Sequence, residues 1–354
     1  MINSLQRERD ESVRFFRKAG GGPVRTMVGG APGRCKYYFQ RYSMKKFLVA
    51  VLSALMVAVM AVSAVACSGS ASVKIIEIDL TEEEYAFILP KGSELTETIN
   101  GYIADLKSEE GLGGVTIDEL FDAEADGTAE NLGEVLTEVP AGADRADYFV
   151  VATNAEFAPF EYFQGAYFAG IDMHIAKLFA DALGKTLVIR HMKFESVIPT
   201  VSGSDYSGDS EDGTAVQPDG IQADIGMAGL TVTPNRAEAV SFTDSYYNAA
   251  QRVAVLSDDT AFDECKTKED VVAVLNTLTG EIAGAATGQT GYTYLAGDNS
   301  GTMGEDFKGF ADVFAEIKQY NSIGLAVQDL AGARLRVVVG DKFTLAEAVN
   351  GING

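Results

Sequence analysis

Cysteine and positive charge are both scarce in this chain of 354 residues, and each shortage limits what the protein can be. Of the three cysteines only Cys265 follows Cys67, so the later part of a monomer has no internal disulfide and depends on a hydrophobic core for stability. Eleven of the 28 basic residues and three of the 51 acidic residues precede Cys67. The remainder has 17 basic and 48 acidic residues, a net charge of about −31, which excludes nucleic acid as a partner.

Residues 44–67 have the pattern of an export signal. Lys45 and Lys46 precede an apolar run over 47–66, and Ala64-Val65-Ala66-Cys67 ends it with small residues and a cysteine. The segment resembles bacterial lipoprotein signals, although Ala64 stands where those signals usually have leucine. The resemblance implies cleavage before Cys67, lipidation of its thiol and an extracytoplasmic protein anchored to the membrane. A retained transmembrane anchor over the same run is the alternative.

Residues 1–43 have a composition different from that of the rest. They hold nine of the basic residues and show no sustained apolar period. We expect them to lie outside the working protein, as an upstream extension from a mis-assigned start or as a genuine cytoplasmic extension.

Strands and helices alternate from Tyr148 onward, first to about residue 250 and then again to residue 354. Alternation of this kind predicts an α/β protein with two similar lobes and mainly parallel sheets, whose ligands bind beyond the carboxyl ends of the strands. His174 and His191 lie within predicted elements and are expected to be packed or solvated. The Ser/Gly/Asp-rich segment 203–220 is predicted to be a surface loop.

The stretch 223–236 predicts a buried strand that runs directly into a helix. Thr233 suits the N-cap and Pro234 the first helical position, where a missing N–H costs nothing. Arg236 adds a guanidinium that can grip a carboxylate with two hydrogen bonds, so the stretch outlines a carboxylate site. We expect the Arg236 side chain to pack little, so that Arg236→Ala should leave the fold intact. An ordinary strand-to-helix junction with a surface arginine is the alternative.

Residues 73–121 hold too few elements for an independent core. Strands are predicted over 73–79 and 85–90, followed by a helix over 93–110 and a shorter one from Ile117. The Ala/Gly/acid-rich segment 122–145 is predicted to be a linker. Its first six residues approach a calcium-loop pattern, but Gly133 stands where the closing glutamate belongs, so we expect no metal.

Four motifs in order carry a specific resemblance: Thr153–Tyr162, Gly170–Asp172, Ala228–Arg236 and Phe242–Tyr247. With them the chain resembles, over about 148–350, the amino-acid-binding proteins of bacterial ABC importers, and in particular their polar-amino-acid branch. The resemblance implies a type II, two-lobe periplasmic-binding-protein (Venus-flytrap) fold. It also implies a monomer that carries a free polar amino acid to an ABC permease, with no cofactor, metal or catalysis.

The resemblance also implies a binding site. Arg236, with Thr231 and Thr290, would hold the ligand α-carboxylate, and Asp341 with the Gly229 carbonyl would hold the α-ammonium. The remaining implied site residues are Phe157 and Phe194, which would cover the ligand, Gln289, which precedes Thr290, and Asn154, which would face the ligand side chain. The family's binders of cationic amino acids often have Asp in place of Asn154, so this residue disfavours a cationic ligand. Asp341 as a helix cap and the two phenylalanines as core residues are the alternatives.

Segment 73–121 resembles the family's C-terminal part although it precedes the lobes. We therefore predict a circular permutation, with one lobe formed by 84–121 and 146–250 and the other by 251–354 and 72–80. A separate N-terminal domain is the rival interpretation.

Two other functions remain open. An exported dehydratase-like enzyme could use Glu161 as a general acid, although no nucleophile and base accompany it. A ligand-sensing ectodomain would need a transmembrane segment after the sensor, and none follows Val253.

Overall fold

A computed structural model describes residues 71–207, 222–298 and 307–354. Residues 1–43, the signal over 44–67 with Cys67, and most of the predicted loop over 203–220 lie outside the described residues. No helix in the described ranges is both long and apolar enough to span a membrane.

The described chain contains fifteen strands and nine α-helices, numbered here in chain order. The strands are β1 (Val73–Ile76), β2 (Glu83–Tyr85), β3 (Ile88–Pro90), β4 (Tyr148–Thr153), β5 (Glu156–Phe157), β6 (Glu161–Gln164), β7 (Tyr167–Ala169), β8 (Thr186–His191), β9 (Ile225–Gly226), β10 (Val240–Phe242), β11 (Tyr247–Ala249), β12 (Gln251–Leu256), β13 (Ile282–Ala286), β14 (Glu316–Tyr320) and β15 (Val337–Asp341). The helices are α1 (Leu95–Leu106), α2 (Ile117–Ala125), α3 (Ile171–Ala182), α4 (Val197–Ser202), α5 (Pro234–Ala239), α6 (Lys268–Leu275), α7 (Thr290–Ala296), α8 (Ile323–Ala331) and α9 (Lys342–Asn353).

Two five-stranded sheets define two lobes with the same strand pattern. The first lobe has the order β10-β3-β9-β4-β8 and the second has β1-β12-β15-β13-β14. In each sheet only the second strand in this order, β3 or β12, runs antiparallel to the others. Mixed sheets of this kind, connected through helices, make the protein an α/β two-lobe fold of type II.

Apolar residues cover both faces of each sheet, as buried parallel strands require. In the first lobe α1, α2 and α3 pack on one face and α4 packs on the other. In the second lobe α6 and α7 pack on one face and α8 and α9 on the other. Helix α1 shows how the sequence achieves this: its buried Ile99, Ile103 and Leu106 recur at intervals of four and three residues, which places them on one side of the helix.

Two chain segments cross between the lobes, and they pair with each other. Strand β2 follows β1 of the second lobe and leads to β3 of the first, whereas β11 follows β10 of the first lobe and leads to β12 of the second. The two crossing strands form a separate antiparallel ladder in which Tyr85 opposes Tyr247. This β2–β11 ladder is the hinge between the lobes.

The two ends of the described chain meet in the second lobe. The Val73 N–H donates to Oδ1 of Asn353 at 3.0 Å, and Nδ2 of Asn353 donates to the Val73 carbonyl at 2.7 Å. Strand β1 pairs with β12 over four residues. Residues 73–76 are thus part of the second lobe's sheet, next to the last turn of α9.

Three predicted features differ from the structure. Residues 154–167, predicted as a loop, form the three-stranded sheet β5-β6-β7, because Gly165 at φ +69° permits a tight turn between two aromatic strands. Residues 85–90, predicted as one strand, are divided between β2 and β3 where the chain passes from the hinge to the first lobe. Helix α2 extends to Ala125, so the segment resembling a calcium loop is a helix end.

The rest of the predicted linker runs along the first lobe. Leu136 forms a parallel bridge with Val188, and its carbonyl accepts the N–H of Ile189 at 2.9 Å. The linker therefore extends the edge of the sheet beside β8.

Candidate ligand-binding site

A narrow cleft between the lobes collects most of the predicted site residues. Its walls are formed by Tyr85, Phe157, Phe194, Gly229, Thr231, Arg236, Gln251, Gln289, Thr290 and Asp341. Eight of the nine residues predicted to bind the ligand are among these ten, and Asn154 is the exception.

Arg236 enters the cleft from the first lobe. The Thr233 hydroxyl accepts the Arg236 N–H at 3.2 Å and caps α5, with Pro234 at the first position, as the sequence predicted. The guanidinium then bridges the lobes, since Nη1 donates to the Thr231 carbonyl at 3.1 Å and Nη2 to the Gly288 carbonyl at 3.0 Å. Its Cζ lies 5.3 Å from the ring centre of Phe194, within the range of a cation–π contact. The expectation that this side chain packs little is wrong, because only 4% of Arg236 is exposed.

Asp341 enters from the second lobe, where β15 ends. Its Oδ1 accepts the N–H groups of Phe343 and Thr344 at 2.9 and 3.1 Å and so caps α9. Oδ2 makes no hydrogen bond of regular geometry within the described residues, although the Tyr85 hydroxyl is near enough to lower the pKa of the carboxyl. Burial raises that pKa to about 6 despite the two N–H donors, and the negative charge of Glu83 adds to the rise. One carboxylate thus serves as a helix cap and presents an oxygen that can accept a donor.

The two lobes touch directly across the cleft. The hydroxyls of Thr231 and Thr290 are 2.9 Å apart, and both residues are nearly buried. The space that remains between the walls is about that of one water molecule. An amino acid can enter only if the lobes separate, so the geometry is that of a closed cleft.

Aromatic rings form the wall near the hinge. The Tyr85 ring centre lies 6.3 Å from that of Phe157 and 5.3 Å from that of Phe160, and all three side chains are buried. Gly229 faces this wall with φ +53°, and a Cβ there would lie 2.5 Å from the Phe157 ring. Glycine is required at this position both for the backbone angle and for the close approach.

Asn154 does not reach the cleft. Its Nδ2 donates to the Met192 carbonyl at 2.9 Å, which joins the ends of β4 and β8. His191 lies beside it and accepts the Ala155 N–H through Nδ1 at 3.1 Å, whereas His174 has Nε2 2.7 Å from the Glu130 carbonyl. We expected Asn154, a polar residue at the carboxyl end of a strand, to face the ligand. Its amide instead donates to the backbone carbonyl of Met192.

Glu161, the candidate general acid, also lies outside the cleft. It is fully buried beside Asp172, whose Oδ2 accepts the Gly229 N–H at 3.3 Å. Burial and the neighbouring Asp172 raise the pKa of Glu161 well above its usual range, and burial raises that of Asp172 to about 7. The pair packs inside the first lobe, where no substrate can reach it in this geometry.

The sequence analysis missed Tyr85 and Gln251. Both lie at the hinge, where Tyr85 ends β2 and Gln251 begins β12. Gln251 is 2% exposed, and a glutamine at the start of the strand Gln251–Leu256, whose last four residues are apolar, is the signal that could have pointed to it. Tyr85 gives no such signal, because a tyrosine in a strand is ordinarily a packing residue.

A larger groove lies on the first lobe between the linker and β8. It measures about 970 Å³ and is lined by residues that include Phe163, Tyr167 and Arg190. It is open to solvent, and all of its walls belong to the first lobe and the linker. The narrow cleft, unlike this groove, combines a buried cation of the first lobe with a buried carboxylate of the second. No cluster of His, Cys, Asp and Glu in the described part of the chain could hold a metal ion.

Comparison with known proteins supports the resemblance. Residues 216–350 match the model of the bacterial extracellular solute-binding proteins, family 3. The chain is 28% identical over 109 residues to the arginine-binding extracellular protein ArtP of Bacillus subtilis, and 25% identical over 208 residues to a probable histidine-binding protein of Neisseria gonorrhoeae. The later part of the chain is therefore similar to solute-binding proteins of family 3.

These matches are partial. They cover 31% and 58% of the chain and 36% and 63% of the two relatives, less than two thirds of either. Among solved structures, the arginine-bound form of truncated ArgBP from T. maritima is 25% identical, with 58% of this chain and 78% of that chain covered and a TM-score of 0.42. The fold assignment therefore depends on the sheet topology described above.

Proposed function

We propose that this protein binds one free polar amino acid outside the cytoplasm and delivers it to an ABC importer. The supporting observation is the charge arrangement of the cleft. Arg236 of the first lobe and Asp341 of the second are 4% and 2% exposed and line the same space. The α-carboxylate and α-ammonium of an amino acid are complementary in charge and hydrogen bonding to the Arg236 guanidinium and the Asp341 carboxylate.

The division of the site between two lobes gives the ligand control over closure. Thr231, Gly229 and Phe157 belong to the first lobe, whereas Thr290 and Gln289 belong to the second. A ligand that contacts both sets binds the closed form more tightly than the open form and shifts the population toward it. A permease can then distinguish the loaded protein from the empty one by its shape.

A polar ligand side chain suits the remaining walls. Gln251 and Gln289 provide amide groups, and Tyr85, Phe157 and Phe194 provide aromatic surface. Two relatives are named for arginine and histidine, which are both polar. Asn154 no longer argues against a cationic ligand, because its side chain does not line the cleft.

Binding without catalysis is the better supported alternative. The residues that line the cleft include no histidine, cysteine or serine, and Glu161 is not among them. The one carboxyl group among them is that of Asp341, and its proposed role is to pair with the ligand ammonium. We also propose, from the sequence alone, export by the signal over 44–67, a lipid anchor at Cys67 and a monomeric protein.

We further propose that the order of the elements is a circular permutation. In the first lobe the edge strand β10 follows β9 and α5 in the chain. In the second lobe β1 occupies the equivalent edge beside β12, yet it precedes every other element, and α9 ends next to it. This symmetry supports a first lobe of 84–121 and 146–250, a second lobe of 251–354 and 72–80, and a linker over 122–145.

Titration of the purified protein with the twenty common amino acids, by calorimetry and by thermal shift, tests the proposed function. A ligand at 100 times its Kd should add about 2.7 kcal/mol to the stability. We expect Arg236→Ala to abolish this binding and to lower stability, since it also leaves two buried carbonyls without their donor.

The matched control is Arg334→Ala, which removes an arginine whose side chain is 60% exposed and paired with Asp329. It should bind normally. Arg236→Lys keeps the charge without the planar fork and should bind with intermediate affinity. Unchanged affinity in a folded Arg236→Ala protein would contradict the proposed site.

A further inference from the structure

We propose that Glu83 is a positioning residue that connects the hinge to the cleft and determines how long the closed cleft holds its ligand. This inference rests on the proposed function for its ligand. It assigns a role to a carboxylate that does not itself line the cleft.

Glu83 lies on the hinge strand and points into the protein. It is the first residue of β2, opposite Ala249 of β11, and is 8% exposed, whereas the adjacent Glu84 is exposed. The hinge strand also bonds to the segment that enters the cleft: the Ala86 N–H donates to the Leu230 carbonyl at 3.1 Å and the Val232 N–H to the Glu84 carbonyl at 2.9 Å. Movement of the hinge is thereby transmitted to residues 230–232.

Three side chains converge on the Glu83 carboxylate. The Thr81 hydroxyl donates to Oε1 at 2.5 Å, and the Thr231 hydroxyl and Nε2 of Gln251 approach Oε2 at 2.8 and 3.4 Å. Thr231 belongs to the first lobe and Gln251 begins a strand of the second. Thr81 reinforces the arrangement, because its oxygen accepts the backbone N–H of Gln251 at 2.8 Å. One buried carboxylate therefore joins both lobes at the hinge.

The carboxylate also fixes the direction of a hydrogen-bond chain. The Thr231 hydroxyl donates to Oε2 of Glu83 at 2.8 Å, so the single hydroxyl proton of Thr231 is directed to Glu83. Because that proton is used, the 2.9 Å contact across the cleft must have Thr290 as the donor and Thr231 as the acceptor. The chain runs from Thr290 through Thr231 to Glu83, that is, from the second lobe across the cleft to the hinge.

Loss of the carboxylate should therefore open the cleft. In Glu83→Gln one acceptor oxygen would remain where the carboxylate offers two, so the partners of Oε1 and Oε2 could no longer all be accepted. A Thr231 hydroxyl that is no longer fixed by Glu83 is a poorer acceptor for Thr290, and this contact exists only in the closed form. The change should appear in ligand release, since affinity differences among variants of one site fall mostly on the dissociation rate.

The test compares Glu83→Gln with Glu84→Gln. Both remove one negative charge at constant side-chain size from neighbouring positions of the same strand, but Glu84 is exposed and none of its side-chain contacts reaches the cleft. Release of L-arginine and of L-histidine is followed by stopped-flow fluorescence. The radius of gyration of the protein without amino acid is measured by small-angle X-ray scattering, and the free energy of unfolding by urea.

We expect Glu83→Gln to release the amino acid about tenfold faster than wild type, with an association rate within about threefold, and to have a larger radius of gyration. Glu84→Gln should match wild type in all three measurements. Glu83→Ala should enlarge the effect if it folds. A Glu83→Gln protein with wild-type release and radius, or one that loses only stability, overturns the proposal, as does an equal effect of Glu84→Gln. If wild type binds neither amino acid, the proposed ligand class fails, and the radius of gyration alone still decides the role of Glu83.

Discussion

Asp341 has two roles, as the cap of α9 and as the proposed acceptor for the ligand ammonium, and these roles conflict at low pH. Its Oδ1 holds the first N–H groups of α9, and its Oδ2 is the oxygen proposed for the ligand ammonium. Burial raises the pKa of the carboxyl to about 6, so the empty protein gains a proton there under mildly acidic conditions. For a carboxyl with a raised folded-state pKa, stability falls as pH rises from the ordinary value of 3.8 toward 6. A bound ammonium would offset this loss.

Asp341→Asn should weaken binding of every α-amino acid without changing their ranking, because the ammonium is common to all of them. We expect a loss of at least tenfold at pH 7.5, measured by calorimetry over several amino acids. In wild type the affinity should decrease as pH falls through about 6, and in Asp341→Asn this dependence should be smaller. A changed ranking would place Asp341 against the ligand side chain instead.

Individual residues of the site differ in how far the sequence could predict them. Arg236, Thr231 and Thr290 stand beside recognisable helix starts, so local sequence reveals them. Tyr85 and Gln251 reach the cleft only because two distant segments pair at the hinge. Asn154 has the right residue type and strand position, yet a hydrogen bond to a backbone carbonyl 38 residues away determines where its amide lies. That carbonyl cannot be anticipated from the sequence around position 154.

At the scale of elements, α2 of the first lobe meets α9 of the second. The rings of Phe121 and Phe343 stack with centres 6.0 Å apart. Near them the Tyr162 hydroxyl donates to Oε2 of Glu124 at 3.0 Å. Burial raises the pKa of Glu124 to about 7; the Tyr162 hydrogen bond opposes the rise, and the negative charge of Glu347 on α9 adds to it. Ionised Glu124 and Glu347 repel each other across the lobes.

Stability should therefore fall as pH rises from about 4.5 to about 7, in part through Glu124. Glu124→Gln should reduce this fall, as measured by urea unfolding at a series of pH values between 4.5 and 8. Asp122→Asn on the same helix is the control, because Asp122 is exposed and its substitution should leave the pH dependence unchanged. If the stability of Glu124→Gln depends on pH as that of wild type does, protonation of Glu124 at the α2–α9 contact does not contribute to the pH dependence.

Elements were predictable where a cap or a long apolar pattern marks them. Ser322 caps α8 and Thr233 caps α5, and the fully apolar core of β4 leaves little choice of structure. The sheet β5-β6-β7 was missed because its strands are two to four residues long. Strands this short are held by their pairing partners, which no local pattern specifies.

At the scale of the whole molecule, the two lobes repeat one topology with the chain entering them at different points. The hydrogen bonds between Val73 and Asn353 show that the second lobe needs only a short connection to become continuous from α9 into β1. In the first lobe the connection is present, because the linker over 122–145 joins α2 to β4. The resemblance of 73–121 to the C-terminal part of the family suggested a circular permutation from the sequence, and the permutation stays a prediction.

Rearranging the chain tests the proposed permutation. We would join residue 354 to residue 73 by a short Gly/Ser linker and open the chain between Ala141 and Gly142, which are exposed, so that the protein begins at Gly142, ends at Ala141 and keeps the pairing of Leu136 with Val188. Because surface segments tolerate such cuts and a short added loop changes the closure entropy little, we expect stability within about 1 kcal/mol of wild type and unchanged amino-acid affinity. The control uses the same junction but opens the chain between Val150 and Val151, in the buried middle of β4, and should not fold. If the linker-opened protein also fails to fold, the present order of elements is required by the structure, and residues 73–121 are more than a relocated end of the fold.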